Sequence, residues 1–377
     1  MTGAPKFLFL DTNMQCNLKC RTCMYWTREE VELPGHISIE RRGEIIDEFA
    51  AMNPSGAVVI CGGESLMNPE RYWPITQKCR ALGLKCLSVM NGTMVTDAAM
   101  AERLVLEGPS EITISLNSHI SDVHDETRGV KGSWELAVNA LRLLLEARDR
   151  LDPSIRIYAM AIVCERNYRD LIDFYDFVLN DIKADKLKLN FLQPMFGPLR
   201  DEDNVDRDDK FYARNVIRDH DGLFEILRRC NELYDLNLDP EWMKTARMYH
   251  RSVHRNDDAI KGWHGKGTEE LICNSFERNI MVDLFGVARL CFSHTFPGAQ
   301  LRKDGDLRNF WTSNDALRAR MAQCRQYCGI SHSVRRVSAT LRPQAGDAPV
   351  LLQAAEIETR NGPLRKLGEL ARRLVGA

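Results

Sequence analysis

The 377-residue sequence predicts an α/β fold of repeated strand–helix units followed by a cysteine-marked C-terminal segment, and three observations carry this. Six short, β-rich apolar runs recur through the first half of the chain, with helix-patterned stretches between them. Residues that start and stop helices stand at the borders of those stretches. The alternation ceases near residue 197, and a separate group of cysteines runs from Cys273 to Cys328.

The strands read in order as "KFLFLDTN", "GAVVICGGE", "LKCLSVMNG", "EITISLNS", "IRIYAMAIV" and "KLKLNFLQP". Between them, Ser38 precedes "IERRGEIIDEFAAM", and Asn68-Pro69 opens a helix closed by Gly83. Thr96 precedes "DAAMAERLVLEG", Ser133 precedes "WELAVNALRLLLEARDR" and Asn167 precedes "YRDLIDFYDFVL". Strand, crossover helix and parallel strand is the expected connection, and such units form a complete or partial barrel or an open doubly wound sheet. In a barrel, chemistry sits at the C-terminal ends of the strands. After residue 197 a charged stretch leads into an amphipathic helix near Leu223 to Leu233, and beyond Ser333 an Arg-rich tail ends in the helix "PLRKLGELARRLV".

Charged residues make up 28% of the chain and nearly cancel, 51 basic against 53 acidic, so neither nucleic acid nor an anionic membrane is an expected partner. No apolar run approaches the roughly 20 residues of a membrane span. The start "MTGAPKFLFLD" lacks a secretion signal's basic and long apolar regions, so a cytoplasmic location is expected. Twelve cysteines in a reducing compartment point to metal or redox chemistry rather than to a disulfide framework.

Cys16, Cys20 and Cys23 follow the first strand in "CNLKCRTC". This spacing lets one loop wrap three thiolates around a compact metal centre. A four-iron four-sulfur cubane normally takes four cysteines, so three leave one iron open; a structural zinc would need a fourth ligand from elsewhere. The nearest histidine is His36, outside the loop.

At the end of a first strand, "CNLKCRTC" resembles the CxxxCxxC loop of the radical S-adenosylmethionine (radical SAM) superfamily. The resemblance implies a partial (β/α)6 TIM-like barrel over residues 1–200 and an open iron that chelates S-adenosylmethionine. It also implies a 5′-deoxyadenosyl radical that takes a hydrogen atom from substrate, with an external electron donor such as flavodoxin or ferredoxin. Gly62, Gly63 and Glu64 in "CGGES" are similar to the family's GGE motif, where glycines admit the cofactor and the carboxylate receives its ammonium group. Asn91 in "VMNGT", with Ser115 and Asn117 in "ISLNS", supplies small polar groups suited to a ribose or carboxylate, and Arg128 is a candidate carboxylate contact. The residue before the third cysteine is commonly aromatic in the family. Here it is Thr22, so Tyr25 or Trp26 is the expected adenine contact.

Cys273, Cys291, Cys324 and Cys328, with Gly286 five positions before Cys291, suit a second cubane or a zinc site. The pattern resembles the SPASM and twitch auxiliary-cluster segments of radical SAM enzymes. The implied organisation is a charged helical linker over 201–265, a twitch/SPASM-like domain with one auxiliary four-iron cluster over 266–332, and a basic tail over 333–377. Cys61 and Cys164, near strand ends, are candidate hydrogen-atom donors; Cys79, Cys86 and Cys230 read as core.

The chain reaches Cys16 with no leader-binding domain before it, so the expected substrate is a small polyhydroxylated or amino-bearing molecule such as a sugar, aminocyclitol or nucleoside. Dehydrogenation or epimerisation in natural-product biosynthesis is the expected outcome. A maturase of ribosomally synthesised peptides is the alternative, and a zinc-stabilised binding protein the alternative of another class.

Overall fold

Strand β1 (Phe7–Asp11) alternates partly exposed Phe7, Phe9 and Asp11 with fully buried Leu8 and Leu10, the period-two signature of a strand covered by helices on one face and open on the other. The computed structural model describes residues 3–23, 35–192, 214–238, 271–292, 296–322 and 334–336, with residues 240, 243–244 and 246–247. All of them lie in a compact unit, Met1–Val337. Strands β2 (Ala57–Cys61), β3 (Lys85–Met90), β4 (Glu111–Ser115), β5 (Arg156–Val163) and β6 (Lys186–Phe191) follow in the predicted order. Each lies parallel to its predecessor in sequence, so the sheet is the partial six-unit barrel.

The helices bury one face of that sheet. Ile45, Ile46 and Phe49 of α1 (Ile39–Met52) and Leu141 and Leu144 of α5 (Ser133–Leu151) have no solvent exposure, and each such side chain contributes roughly 1.5–3 kcal/mol of transfer free energy. The Ser38 hydroxyl caps α1 by accepting from Arg41 N, and the Asn68 amide oxygen caps α2 (Pro69–Ala81) by accepting from Arg71 N. Two caps differ from the sequence reading. Asp97 rather than Thr96 caps α3 (Ala98–Glu107), because its carboxylate reaches Met100 N at 2.9 Å. Gly132 rather than Ser133 precedes α5; the cap is supplied by Asp125 of α4 (Ser121–Arg128), which accepts from Gly132 N, Ser133 Oγ and Trp134 N. Asn167 does not cap either, since its side chain is drawn to Asn117, Ile162 and Cys164. The helix after it, α6 (Leu171–Asp176), runs into a π-turn at Phe177–Asp181.

The amphipathic helix expected near Leu223 is α7 (His220–Tyr234), with Leu223, Phe224, Leu227 and Cys230 buried. One connection went unanticipated. The C-terminal hairpin of β8 (Asn279–Val282) and β9 (Val287–Arg289), with β10 (Ala299–Gln300), extends the barrel sheet itself, β8 running parallel to β1 with Leu10 opposite Val282. Aromatic contact reinforces the seam: Phe292 meets Phe9 edge-on at 4.9 Å. A separate antiparallel pair joins β7 (Leu271–Cys273) to β11 (Val334–Arg336). The charged stretch over 197–213 and the tail from 338 lie outside the described residues.

Candidate active site

The loop that leaves β1 is stitched to the loop that leaves β2. Thr12 N and Oγ1 both donate to Cys61 O, Gly63 N donates to Asn13 O at 3.0 Å, and Glu64 N donates to Gln15 O at 2.7 Å. Asn13 Nδ2 returns a bond to Glu64 O. The two glycines are what permit this approach. Gly62 holds φ at +120°, and a Cβ added at Gly63 would lie 1.8 Å from Gln15 O.

Beyond that seam two of the three thiols meet donors from other parts of the barrel. Cys20 is buried, while Cys16 and Cys23 keep partial exposure. Asn91, directly after β3, reaches Cys16 Sγ at 3.9 Å and Asn17 Oδ1 at 2.8 Å with its amide nitrogen, while its amide oxygen accepts from Thr93. Arg128, the last residue of α4, donates to Cys20 Sγ at 3.6 Å. Burial is the main force raising the Cys16 thiol above its ordinary value.

Glu64 is 2% exposed, and its carboxylate accepts from Asn91 N at 2.7 Å. Burial pushes this carboxyl up to about 7 against the hydrogen bonds from Asn91 and Leu66 and the charge of Arg128. Asn117 spends its whole amide inside the protein: Nδ2 donates to Thr127 Oγ1, and Oδ1 accepts from Ile162 N and Arg128. Ser115 ends β4 at 8% exposure. Tyr25, Trp26, Cys324 and Cys328 lie outside the described residues.

The candidate hydrogen-atom donors separate. Cys61 sits on the open face beside Asp11, which it faces across the β1–β2 register, and burial with the Asp11 charge lifts its thiol well above the ordinary value. Cys164 is 2% exposed and packs with Leu192 and Val216. In the second cysteine group, Ser275 links both described members: its N–H donates to Cys273 Sγ at 3.4 Å and its hydroxyl to Leu290 O, next to Cys291.

Several site-forming residues escaped the sequence reading, above all Asn13, Asn17, Thr93 and His124, whose separate signals are those of ordinary turn or helix residues. His124 Nδ1 accepts from Asn117 N, so the ring proton sits on Nε2. Burial, then the Arg128 charge, lowers its value to about 3. The unfolded ring titrates near 6.5, so between pH 6.5 and 3 the unfolded chain binds a proton that the native chain does not, and stability falls as pH falls. Urea midpoints of His124→Gln are therefore expected to drop less steeply than wild type from pH 7 to 4.5; parallel slopes would contradict this assignment.

The fit to an iron–sulfur cluster rests on the donor set. One loop presents three thiols, two of which receive N–H donors, and the backbone of that loop packs directly against Gly62 and Gly63. Among the described residues no three His, Cys, Asp or Glu side chains converge to hold a metal ion. A cubane spreads its thiolates over separate irons and asks for wider spacing than a single ion does. Three thiols on one loop suit a cubane with one open iron, whereas a structural zinc asks for a fourth ligand.

Comparison with known proteins agrees with this geometry. Residues 13–178 match the Radical SAM superfamily. The chain is similar to the AdoMet-dependent heme synthase of Oleidesulfovibrio alaskensis, 28% identical over 148 residues, covering 38% of this chain and 37% of that protein. It is also similar to the antilisterial bacteriocin subtilosin biosynthesis protein AlbA of Bacillus subtilis, 27% identical over 232 residues, covering 59% and 48%. Among solved structures, Streptococcus suis SuiB bound to precursor peptide SuiA shares the fold with a TM-score of 0.55 at 18% identity, covering 87% of this chain and 70% of SuiB. The match spans 37–41% of the length of the curated heme synthases. Members of the superfamily bind S-adenosylmethionine and a four-iron four-sulfur cluster. No helix among the described residues is long and apolar enough to cross a membrane.

Proposed function

The chain carries a Radical SAM superfamily domain over residues 13–178, and on that premise we propose that it modifies a peptide, working on a residue held against the open face of the barrel sheet. What supports this reading is the likeness to AlbA and to SuiB bound to SuiA, which puts a peptide ahead of the sugar, aminocyclitol or nucleoside expected from sequence. The open face is mixed in chemistry: Phe7, Phe9, Leu87, Val89, Met160 and Met281 line it and are each partly exposed, while Asp11, Tyr158 and Asn190 share it with Lys188 and Glu111, which pair with each other. Such a wall offers a peptide apolar contact, at about 25 cal/mol per Å², together with polar partners for its backbone.

In this reading Cys16, Cys20 and Cys23 hold the cluster, and Gly62 and Gly63 let the loop after β2 pack against the backbone of the cysteine loop at Asn13 and Gln15. Glu64 and Asn91, bonded to each other, stand beside that seam, and Asn91 reaches Cys16. When bound, the cluster and S-adenosylmethionine supply a radical that removes a hydrogen atom from the substrate. Cys61, on the open face, is the thiol placed to return one, whereas Cys164 is enclosed by Leu192 and Val216. Cys273 and Cys291, with Cys324 and Cys328, would hold an auxiliary cluster, which would supply an electron acceptor for an oxidation.

The test is anaerobic incubation of reduced, reconstituted protein with side-chain-deuterated peptides, with deuterated sugars and aminocyclitols, and with a porphyrinogen. Deuterium reaching 5′-deoxyadenosine from peptides supports the proposal. Transfer from a sugar or a porphyrinogen, with none from peptides, overturns it.

A further inference from the structure

We infer that Arg128 sets the reduction potential of the N-terminal cluster by donating a charged hydrogen bond to Cys20. This rests on reading Cys16, Cys20 and Cys23 as the cluster ligands. Three consecutive residues pin the arginine under the loop. Thr127 O accepts from Arg21 N at 3.1 Å and Arg128 O accepts from Lys19 N at 3.0 Å. Gly129 adopts φ +71°, and a Cβ there would lie 2.2 Å from Lys19 O, so the helix end and the cysteine loop meet backbone to backbone.

Arg128, which this clamp fixes, is 9% exposed as a residue, against 8% for Cys20. Nη1 reaches Cys20 Sγ at 3.6 Å, Nη2 reaches Asn117 Oδ1 at 3.4 Å, and Nε has no hydrogen-bond partner among the described residues. Arg128 forms no ion pair with a carboxylate among the described residues. An arginine stays charged at any working pH, and a buried charge must be offset. The Cys20 thiolate is the anion within hydrogen-bond reach that does so. Reduction adds one electron to the cluster and makes its ligand sulfurs more negative, so a cationic donor on one sulfur favours the reduced form and raises the potential. Arg128 thus acts through Cys20 as a positioning residue that eases entry of the electron.

The test needs neither substrate nor turnover. Wild type, Arg128→Lys and Arg128→Met are reconstituted anaerobically with iron and sulfide and titrated with dithionite. The N-terminal cluster is followed by the EPR signal that changes when S-adenosylmethionine is added. At a fixed solution potential Arg128→Met is expected to show a reduced-to-oxidised ratio roughly tenfold lower than wild type, about 59 mV for a one-electron couple, with Arg128→Lys between the two. Equal potentials at equal iron content would overturn the inference and leave the cysteine assignment standing. Wild type that takes up no N-terminal cluster would overturn both. Should Arg128→Met fail to load, Arg128→Gln against Arg128→Lys decides: a lower potential for Gln supports the inference, and equal potentials overturn it.

Discussion

Replacing Cys20 with alanine is expected to abolish formation of 5′-deoxyadenosine by the reduced, anaerobic protein, a loss to background measured by chromatography of the nucleoside. Of the loop's three thiols Cys20 is the most enclosed, and it sits between the backbone clamp at Lys19 and Arg21 and the Arg128 guanidinium. Removing it takes away one cluster ligand and leaves the buried arginine without its anion, which itself costs the fold roughly 3–5 kcal/mol. Iron content should fall by about four per chain as the N-terminal cubane is lost. Cys164→Ala, far less intrusive in its pocket of Leu192 and Val216, should leave reductive cleavage intact. A Cys20→Ala protein that still produced the nucleoside at the wild-type rate would remove Cys20 from the ligand set.

The second large effect belongs to Gly63→Ala. The added methyl would sit 1.8 Å from Gln15 O and 2.5 Å from Gln15 C, and both are backbone atoms with no flexible end to swing aside. Accommodating it means breaking the bonds from Gly63 N to Asn13 O and from Glu64 N to Gln15 O, which join the two loops. The expected cost is about 3 kcal/mol or more in urea unfolding, together with loss of S-adenosylmethionine binding by equilibrium dialysis. Gly83→Ala is the control. That glycine also has a positive φ, +65°, but has nothing within 4 Å of an added Cβ, so only the backbone strain of about 1 kcal/mol applies. Equal destabilisation of the two variants would show that close loop approach is not what Gly63 provides.

Much of this architecture could be read from local patterns. Short, β-rich apolar runs located all six barrel strands, and the cysteine spacing together with "GGE" at successive strand ends pointed to the candidate site. What escaped is non-local. Nothing in "NIMV" says that it will lie parallel to "FLFL" at the barrel's edge, because that pairing joins residues some 270 positions apart in the chain and depends on the whole sheet being built. The polar scaffold behind the thiols escaped for a related reason. Asn13, Asn17, Thr93, His124 and Asn167 each look like turn or helix residues, and their roles exist only once β2, β3, β4 and β5 bring their ends together. Helix starts failed in the same way: Asp125 caps α5 from a helix whose C-terminal end must first turn at Gly129.

The most direct measurement adds S-adenosylmethionine to the reconstituted, dithionite-reduced protein under anaerobic conditions and follows the EPR spectrum and the nucleoside together. The N-terminal loop with its adjoining Gly62–Glu64 turn predicts an altered cluster signal on mixing and steady accumulation of 5′-deoxyadenosine. A fully iron-loaded protein whose spectrum is indifferent to the cofactor and which releases no nucleoside would contradict the account at its centre.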